Sequence, residues 1–410
     1  MLAPSGFLTY PAFEKNVTGE DSLRRKLATI ALSAFAGVAA STIAQAQTTN
    51  ILTIDRLVEH TSTVPAIKGE KVGLFVRERI AASMLEAPPG KSFERKVVLM
   101  VHGGFSPATL AFDVQYRDYS WMEHLAREGF DVFTMDMTGY GRSTRPPQMD
   151  DPCNLLPAQQ KEIVPKTLPQ PCAPNYPFEL VNSDSESDDI NAVVDYIRKL
   201  RGVDKISLLG WSGGGIRTGT FIGRHPEKVD RYVIWASSNY SRKNPDAAPA
   251  VLPAAGAPIT FQTRTVGTDR RWLGTQKSAA MIEPGVPDVI AALNQLADPL
   301  GATWGPGGLR APTRTYWGWN ANGAKKVQIP TLIMVGEYDD LTRSNLELME
   351  DLGAREKVFL GIAGGTHFMN WETQRRVLHK ASADWLKNGS LNGATTGMFR
   401  ADENGVIAKK

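Results

Sequence analysis

The chain has 410 residues, of which 42% are hydrophobic and 22% are charged. This length and apolar content suffice for one large, elaborated domain with a single core. The 46 basic and 43 acidic residues leave a net charge of only +3. No strong field is therefore available to concentrate a polyanion, which argues against a nucleic-acid partner.

The first 46 residues have the pattern of an export signal. Arg24-Arg25-Lys26 precede an apolar run of small residues over 27–40, and Ala44-Gln45-Ala46 offers a cleavage site. The run is shorter than the roughly 20 strongly apolar residues that span a bilayer, so a cleaved signal is favoured over a membrane anchor. The paired arginines leave a twin-arginine route open beside the general one. We expect an exported protein, periplasmic or secreted, without a membrane span after cleavage near Gln47.

The two cysteines lie in one proline-rich stretch between Pro146 and Pro177. An oxidising compartment allows Cys153 and Cys172 to form a disulfide bond. Closing a loop of about 20 residues would stabilise the fold by roughly 3 kcal/mol in the chain-entropy model. Two thiols without nearby histidines supply only half a metal-ligand set, so we predict a disulfide and no metal site.

Strands and helices are predicted to alternate along most of the chain. Residues 52–81 are typical of two antiparallel edge strands, and compact apolar runs predict the buried strands that follow. The predicted strands are Lys96–Val101, Phe130–Met135, Lys205–Leu209, Arg231–Ala236, Thr331–Val335 and Lys357–Leu360; the predicted helices are Tyr119–Glu128, one that reaches about Arg201, Gly213–Arg224, Thr342–Leu352 and Phe368–Lys387. The acidic run Ser183–Asp188 is expected to supply the N-cap and the first-turn residues of the helix that reaches Arg201. This order predicts an α/β fold with a doubly wound, mostly parallel sheet.

Two segments interrupt this alternation. The first, at about 144–182, contains the cysteines, and in the second, 237–327, proline, glycine and scattered tryptophans replace the regular pattern. The core is thereby predicted to consist of residues 47–236 and 328–390, followed by a C-terminal tail at 391–410.

The strongest catalytic motif is Gly210-Trp211-Ser212-Gly213-Gly214, between an apolar strand and a helix. It fits the G-x-S-x-G nucleophile elbow, in which glycines permit a tight turn that presents the serine at a helix N-terminus. An ordinary glycine-rich turn is the alternative, but the strand-turn-helix context favours Ser212 as a nucleophile.

A serine nucleophile requires a base and an acid later in the chain. His367 follows the strand ending at Leu360 through a glycine-rich loop, whereas the other late histidine, His379, falls on a predicted helix. Asp339 lies a few residues past the strand ending at Val335 and is the predicted acid, with Asp340 as its chief rival.

The oxyanion of a tetrahedral intermediate needs two donors. One is predicted to be the N–H of Gly213, directly after the nucleophile. The other is expected from the loop His102-Gly103-Gly104-Phe105, with Gly104 or Phe105 as donor. His102 itself is expected to brace this loop.

Together these motifs resemble the α/β-hydrolase superfamily, in its esterase, lactonase and peptidase-like branches, over roughly Val97 to Leu386. Residues 136–143 (DMTGYGRS) also resemble a structural loop of that family. The resemblance implies that the insertion between the sixth and seventh strands, residues 237–327, is a cap over the active site. The cysteine-bearing insertion and the proline-rich cap both depart from the usual plan of the family.

The predicted function is hydrolysis of a carboxylic ester or lactone through an acyl-enzyme on Ser212. Amide or peptide cleavage and carbon–carbon bond hydrolysis remain alternatives within the same fold, and a non-catalytic binding module is an alternative of another class. The serine argues against haloalkane dehalogenases and the many epoxide hydrolases that share this architecture, because these enzymes use an aspartate nucleophile. No phosphate loop, nicotinamide fingerprint or metal cluster is present in the sequence, so we predict a small-molecule substrate and no cofactor. The sequence indicates no oligomeric state.

Aromatic residues suggest what the cap could select. Trp211 neighbours the nucleophile, and Trp317 and Trp319 stand in a dense aromatic cluster shortly before the strand that leads to Asp339. Aromatic side chains often line apolar pockets, although packing within the cap is an equally plausible role for any one ring. We predict that these three tryptophans contact a bulky or aromatic ester or lactone.

Overall fold

The computed structural model describes residues 50–251 and 253–410. The predicted export signal and its cleavage site, residues 1–46, lie outside them. The described strands are β1 (Ile51–Thr61), β2 (Lys71–Ala81), β3 (Val97–Val101), β4 (Asp131–Met135), β5 (Val181–Asn182), β6 (Ile206–Trp211), β7 (Val229–Trp235), β8 (Ile259–Gln262), β9 (Leu309–Pro312), β10 (Arg314–Thr315), β11 (Thr331–Gly336), β12 (Lys357–Ile362), β13 (Gly397–Ala401) and β14 (Ile407–Lys409).

Ten of the described strands form one sheet in the order β1-β2-β4-β3-β6-β7-β11-β12-β13-β14. Every pairing from β4 to β13 is parallel, whereas β1 with β2, β2 with β4 and β13 with β14 are antiparallel. All residues of β3, β4, β6 and β11 are buried. Their continuous apolar sequences are explained by apolar clusters that cover both faces of the sheet.

Helices pack on both faces of this sheet. The described helices are α1 (Ala108–Phe112), α2 (Trp121–Arg127), α3 (Pro157–Ile163), α4 (Ser183–Arg201), α5 (Gly213–Arg224), α6 (Val286–Ala297), α7 (Pro299–Trp304), α8 (Ala321–Lys326), α9 (Thr342–Asp351) and α10 (Arg375–Asn388). The fold is thus the predicted doubly wound α/β architecture. The N-cap of α4 is Asn182, whose side chain accepts from the N–H groups of Asp184 and Ser185, rather than a residue of the acidic run.

The last predicted helix begins later than its sequence pattern indicated. Residues 369–371 form a short 3-10 turn, and α10 starts only at Arg375. The buried carboxylate of Glu372 accepts hydrogen bonds from the N–H and hydroxyl of Thr366. These two hydrogen bonds hold the segment before α10 as a loop, although the apolar residues of that segment have helical spacing.

The segment at 391–410, predicted only as a tail, extends the sheet by β13 and β14. The pairing of β13 with β12 places another strand beyond the one that leads to His367. These strands are short and partly exposed, so their sequences show little of the apolar signal that identified the central strands.

The two interruptions fold as elaborations of the core. Cys153 and Cys172 form a disulfide bond, as predicted. The insertion between β7 and β11, the sixth and seventh strands of the large sheet in chain order, combines α6, α7 and α8 with β8 and β9, which pair antiparallel although helices separate them in the chain. Strand β10 of this insertion pairs with β5 in the other one. None of the described helices is long and apolar enough to cross a membrane.

Candidate active site

Ser212 lies on a sharp turn between β6 and α5, with a φ of 54° and a ψ of −118°. A non-glycine residue pays for this conformation in strain, and such strain is concentrated at functional positions. The turn is close-packed, because a Cβ added to Gly210 would approach Thr218 Oγ1 to 2.5 Å and one added to Gly214 would approach the Val101 carbonyl to 2.0 Å. The glycines on either side of Ser212 are therefore required by space as well as by the turn.

His367 is held by Asp339. Its Nδ1 lies 2.8 Å from Asp339 Oδ2, and the other carboxylate oxygen of Asp339 accepts from the N–H of Leu341 at 2.9 Å. The Asp339 carboxylate is fully shielded from solvent, whereas the His367 side chain keeps 15% exposure. A carboxylate at Nδ1 fixes the tautomer in which Nε2 is available as a base.

A hydrogen bond from the end of β6, the strand that precedes Ser212, also holds the loop that bears His367. The indole N–H of Trp211 donates to the carbonyl of His367 at 3.2 Å. Ser212 and His367 line the same cavity, together with Asp340. Asp340, the rival acid, is exposed, and the contact to the imidazole is made by Asp339.

His102 braces the loop expected to carry an oxyanion donor. Its Nδ1 lies 2.6 Å from the carbonyl of Gly103, and its Nε2 lies 3.2 Å from the N–H of Met137. A carbonyl can only accept and an N–H can only donate, so His102 is neutral with its proton on Nδ1. Burial and then the positive charge of Arg217 hold the pKa of His102 well below its usual range.

Arg217 orients the peptide group that precedes Gly104. From α5, its Nη1 donates to the carbonyls of His102 at 2.7 Å and Gly103 at 3.3 Å. The carbonyl and N–H of a trans peptide point in opposite directions, so the N–H of Gly104 is turned away from Arg217. The nitrogen of Gly104 lies beside Gly213, 3.4 Å from a Cβ built there. Two backbone donors predicted for the oxyanion therefore lie together.

A buried ion pair supports Arg217 in this position. Its Nε donates to Glu186 Oε1 at 2.8 Å, and both residues are buried. Phe105, the other candidate for the second donor, has a φ of 58°. The sequence pattern that could have revealed Arg217 is a charge in the middle of α5, among small and apolar residues, where a buried helix face is expected to be apolar.

The cavity in front of Ser212 has a volume of about 590 Å³ and receives residues from both the core and the cap. Its lining from the core includes Gly104, Phe105, Trp211, Ser212, Tyr338, Asp340, Leu341, His367 and Phe368, and the insertion adds Ser238, Asn239, Arg271, Thr275 and Arg314. The insertion thus shapes the cavity with arginines and small polar residues. Arg271 and Arg314 were not predicted, because nothing in their sequence surroundings distinguishes them from surface arginines.

The structure corrects the prediction that Trp317 and Trp319 line this cavity. Trp319 is fully buried, packs on Gly219 and donates from its indole N–H to Ser237 Oγ at 3.1 Å. The indole N–H of Trp317 donates to Asp184 at the start of α4. Trp319 packs on one helix of the core, α5, and Trp317 is bonded to the start of another, α4, so both rings fasten the insertion to the core. Trp211 does line the cavity, where its ring stacks on Trp235 at a centroid distance of 4.6 Å.

The sequence matches the family model of the alpha/beta hydrolase fold over residues 96–374, and the chain belongs to this family. Among curated proteins, the human serine hydrolase BPHL (Homo sapiens) is 27% identical over 119 residues, which are 29% of this chain and 30% of that protein. The match therefore spans less than a third of that relative.

Solved structures of low sequence identity align with most of the chain, at TM-scores below 0.5. A bromoperoxidase from Bacillus anthracis is 15% identical, with a TM-score of 0.47, and the alignment covers 82% of this chain and 100% of that one. A thermophilic esterase from Thermogutta terrifontis is 16% identical, with a TM-score of 0.46 and coverage of 81% and 98%.

Proposed function

We propose that this chain is an exported serine hydrolase that cleaves a carboxylic ester or lactone through an acyl-enzyme on Ser212. One observation carries the proposal: a serine on a strained turn shares a cavity with a histidine whose Nδ1 is held by a buried carboxylate 2.8 Å away. Asp339, His367 and Ser212 are the proposed catalytic triad.

In the first half-reaction, His367 Nε2 removes the proton of the Ser212 hydroxyl while Oγ attacks the carbonyl carbon. The negative charge that develops on the carbonyl oxygen is stabilised by the N–H groups of Gly213 and Gly104, with Phe105 as the alternative second donor. Asp339 stabilises the imidazolium, which then gives its proton to the leaving oxygen as the carbon–oxygen bond breaks.

In the second half-reaction, water takes the place of the alcohol. His367 removes a proton from the water, the hydroxide attacks the acyl-enzyme, and Ser212 leaves with that proton. An ester then yields an acid and an alcohol, whereas a lactone yields one hydroxy acid.

Export is supported by the Cys153–Cys172 disulfide bond, which persists in oxidising compartments. Expression of the full chain and N-terminal sequencing of the protein in the exported fraction tests this part. A mature chain beginning near Gln47 is expected, and a full-length protein in the cytoplasmic fraction would contradict export.

Labelling with a fluorophosphonate tests the serine chemistry most directly. The wild-type protein should be labelled on Ser212, and Ser212→Ala should not be labelled. A panel of esters, lactones, anilides and a vinylogous diketone then separates ester cleavage from amide and carbon–carbon bond cleavage. A folded wild-type protein that is neither labelled nor active on the panel would favour a non-catalytic binding module.

A further inference from the structure

Arg314 lies beside the two glycines that are the proposed oxyanion donors. Its Nη2 would lie 3.2 Å from a Cβ built on Gly104, and its Nη1 3.1 Å from one built on Gly213. The residue belongs to β10, whose pairing with β5 fixes its backbone opposite Val181. Its guanidinium therefore lies at one end of the cavity that contains Ser212.

This guanidinium has no anionic partner. Its Nη1 is buried without a hydrogen-bond acceptor, and within the described part of the chain Arg314 forms no ion pair. The nearby Glu186 is already bonded to Arg217, and Arg314 instead lies over the ring of Tyr316 at 5.2 Å. Arg314 as a whole is partly buried, and a shielded charge without a partner is costly. Its retention beside a substrate cavity points to an anion supplied by the ligand.

The charge balance of the cavity agrees with this conclusion. Its charged lining consists of two arginines, Arg271 and Arg314, and one carboxylate, Asp340. The negative charge of Asp340 acts on Arg271, so the cavity lining offers no second carboxylate to Arg314. Glu186 and Glu179 lie outside that lining and act on Arg314 through space without an ion pair. A guanidinium offers paired donors in a plane, and these match the two oxygens of a carboxylate.

We propose, building on the proposed function, that Arg314 binds a carboxylate on the acyl half of the substrate. The leaving group must lie at His367, which protonates it, so a group held beside Gly104 and Gly213 belongs to the acyl chain. The preferred substrate class is then a half-ester of a dicarboxylic acid, or a lactone that carries a carboxylate near the scissile carbonyl.

Binding to a protein that cannot turn over tests the site independently of catalysis. In the Ser212→Ala background, monomethyl succinate is expected to bind at least about 10-fold more tightly than the neutral dimethyl succinate, because a charge-assisted hydrogen bond is involved. Adding Arg314→Gln should abolish the difference. Adding Arg264→Gln, a half-exposed arginine of the same insertion, should preserve it. Equal affinities for the two ligands, measured by isothermal titration, would overturn the proposal.

Kinetics on the Ser212-containing protein separate substrate binding from oxyanion stabilisation. Arg314→Gln should lower kcat/KM for 4-nitrophenyl hemisuccinate by about 10- to 100-fold, mainly through KM, and leave the matched 4-nitrophenyl butyrate nearly unchanged. Arg314→Lys should recover part of the loss. An equal fall in kcat on both esters would overturn the proposal, because Arg314 would then act on the oxyanion itself. If neither ester is hydrolysed but monomethyl succinate still binds through Arg314, the anion site stands and the hydrolase function fails.

Discussion

The core and the cap insertion contribute to the same cavity in different ways. Ser212, Asp339 and His367 follow the carboxyl ends of three parallel strands, β6, β11 and β12, so the parallel sheet brings them to one edge. Arg271 and Arg314 reach the cavity from an insertion of short, irregular elements. The residues proposed for the chemistry are thus positioned by backbone topology, whereas the charges that line the cavity are positioned by side-chain packing.

Removing the hydroxyl of Ser212, the proposed nucleophile in the core, should lower the catalytic rate more than any other change. Ser212→Ala is expected to fold normally and to lose about 100,000-fold or more in kcat, leaving only the contribution of oxyanion binding. Initial rates on an activated ester, with thermal unfolding as the control for folding, measure this loss. Retention of more than about one tenth of the wild-type rate would exclude Ser212 as the nucleophile.

Asp339 and Asp340 are adjacent carboxylates that allow a matched comparison, because Asp339 contacts His367 and Asp340 lines the cavity. Asp339→Asn should lower kcat by about 1,000- to 10,000-fold, because an amide leaves the wrong tautomer of His367. Asp340→Asn should change kcat little, since the contact to His367 is made by its neighbour. The opposite ranking of the two rates would move the acid one residue along the chain.

Because Trp319 is buried and does not line the cavity, removing its ring should lower the stability of the protein rather than its substrate affinity. Trp319→Ala should lower the free energy of unfolding by about 3–5 kcal/mol, because a fully buried ring is replaced by a cavity. Gly219→Ala should also destabilise the protein, since its Cβ would lie 2.1 Å from the Trp319 ring. Denaturant titrations measure both effects. A fully stable Trp319→Ala protein with a raised KM would instead return this ring to the substrate pocket.

The disulfide bond should have the smallest effect and none on chemistry. The double variant Cys153→Ser, Cys172→Ser is expected to lose about 3 kcal/mol of stability, as the chain-entropy model predicts for a loop of about 20 residues. Its kcat/KM at a temperature below unfolding should match that of the wild-type protein, because neither cysteine lines the cavity. A large change in kcat/KM would couple the cysteine-bearing insertion to the active site.

Sequence patterns predicted the core well for a physical reason. Strands such as β3 and β6 are buried on both faces, so their apolar runs are unmistakable, and the strand-turn-helix context located the Ser212 turn. Strands β13 and β14 were missed because they are short and half-exposed. The late start of α10 was missed because a buried carboxylate, Glu372, satisfies a loop that has helical spacing.

The same patterns failed in the cap because aromatic composition does not specify which neighbour a ring will contact. Trp317 and Trp319 resemble pocket residues by type and position, yet the groups that bond their indole N–H are Asp184 and Ser237, far away in sequence. Arg314 was missed for the converse reason. Arg314 stands out because its Nη1 has no hydrogen-bond acceptor. The absence of an acceptor in the folded protein cannot be read from the sequence.

Trp211 has a consequence for how this protein can be observed. The residue directly precedes Ser212. Its ring is stacked on Trp235 and lies 5.8 Å from the imidazole of His367, tilted against it. Indole emission is sensitive to a charge appearing at such a distance, and a protonated imidazole quenches it. If Ser212 acts as proposed, each cycle of proton transfer at His367 changes the light emitted by this pair of rings. Turnover could then be followed through the intrinsic tryptophan fluorescence in a stopped-flow instrument, without a chromogenic substrate.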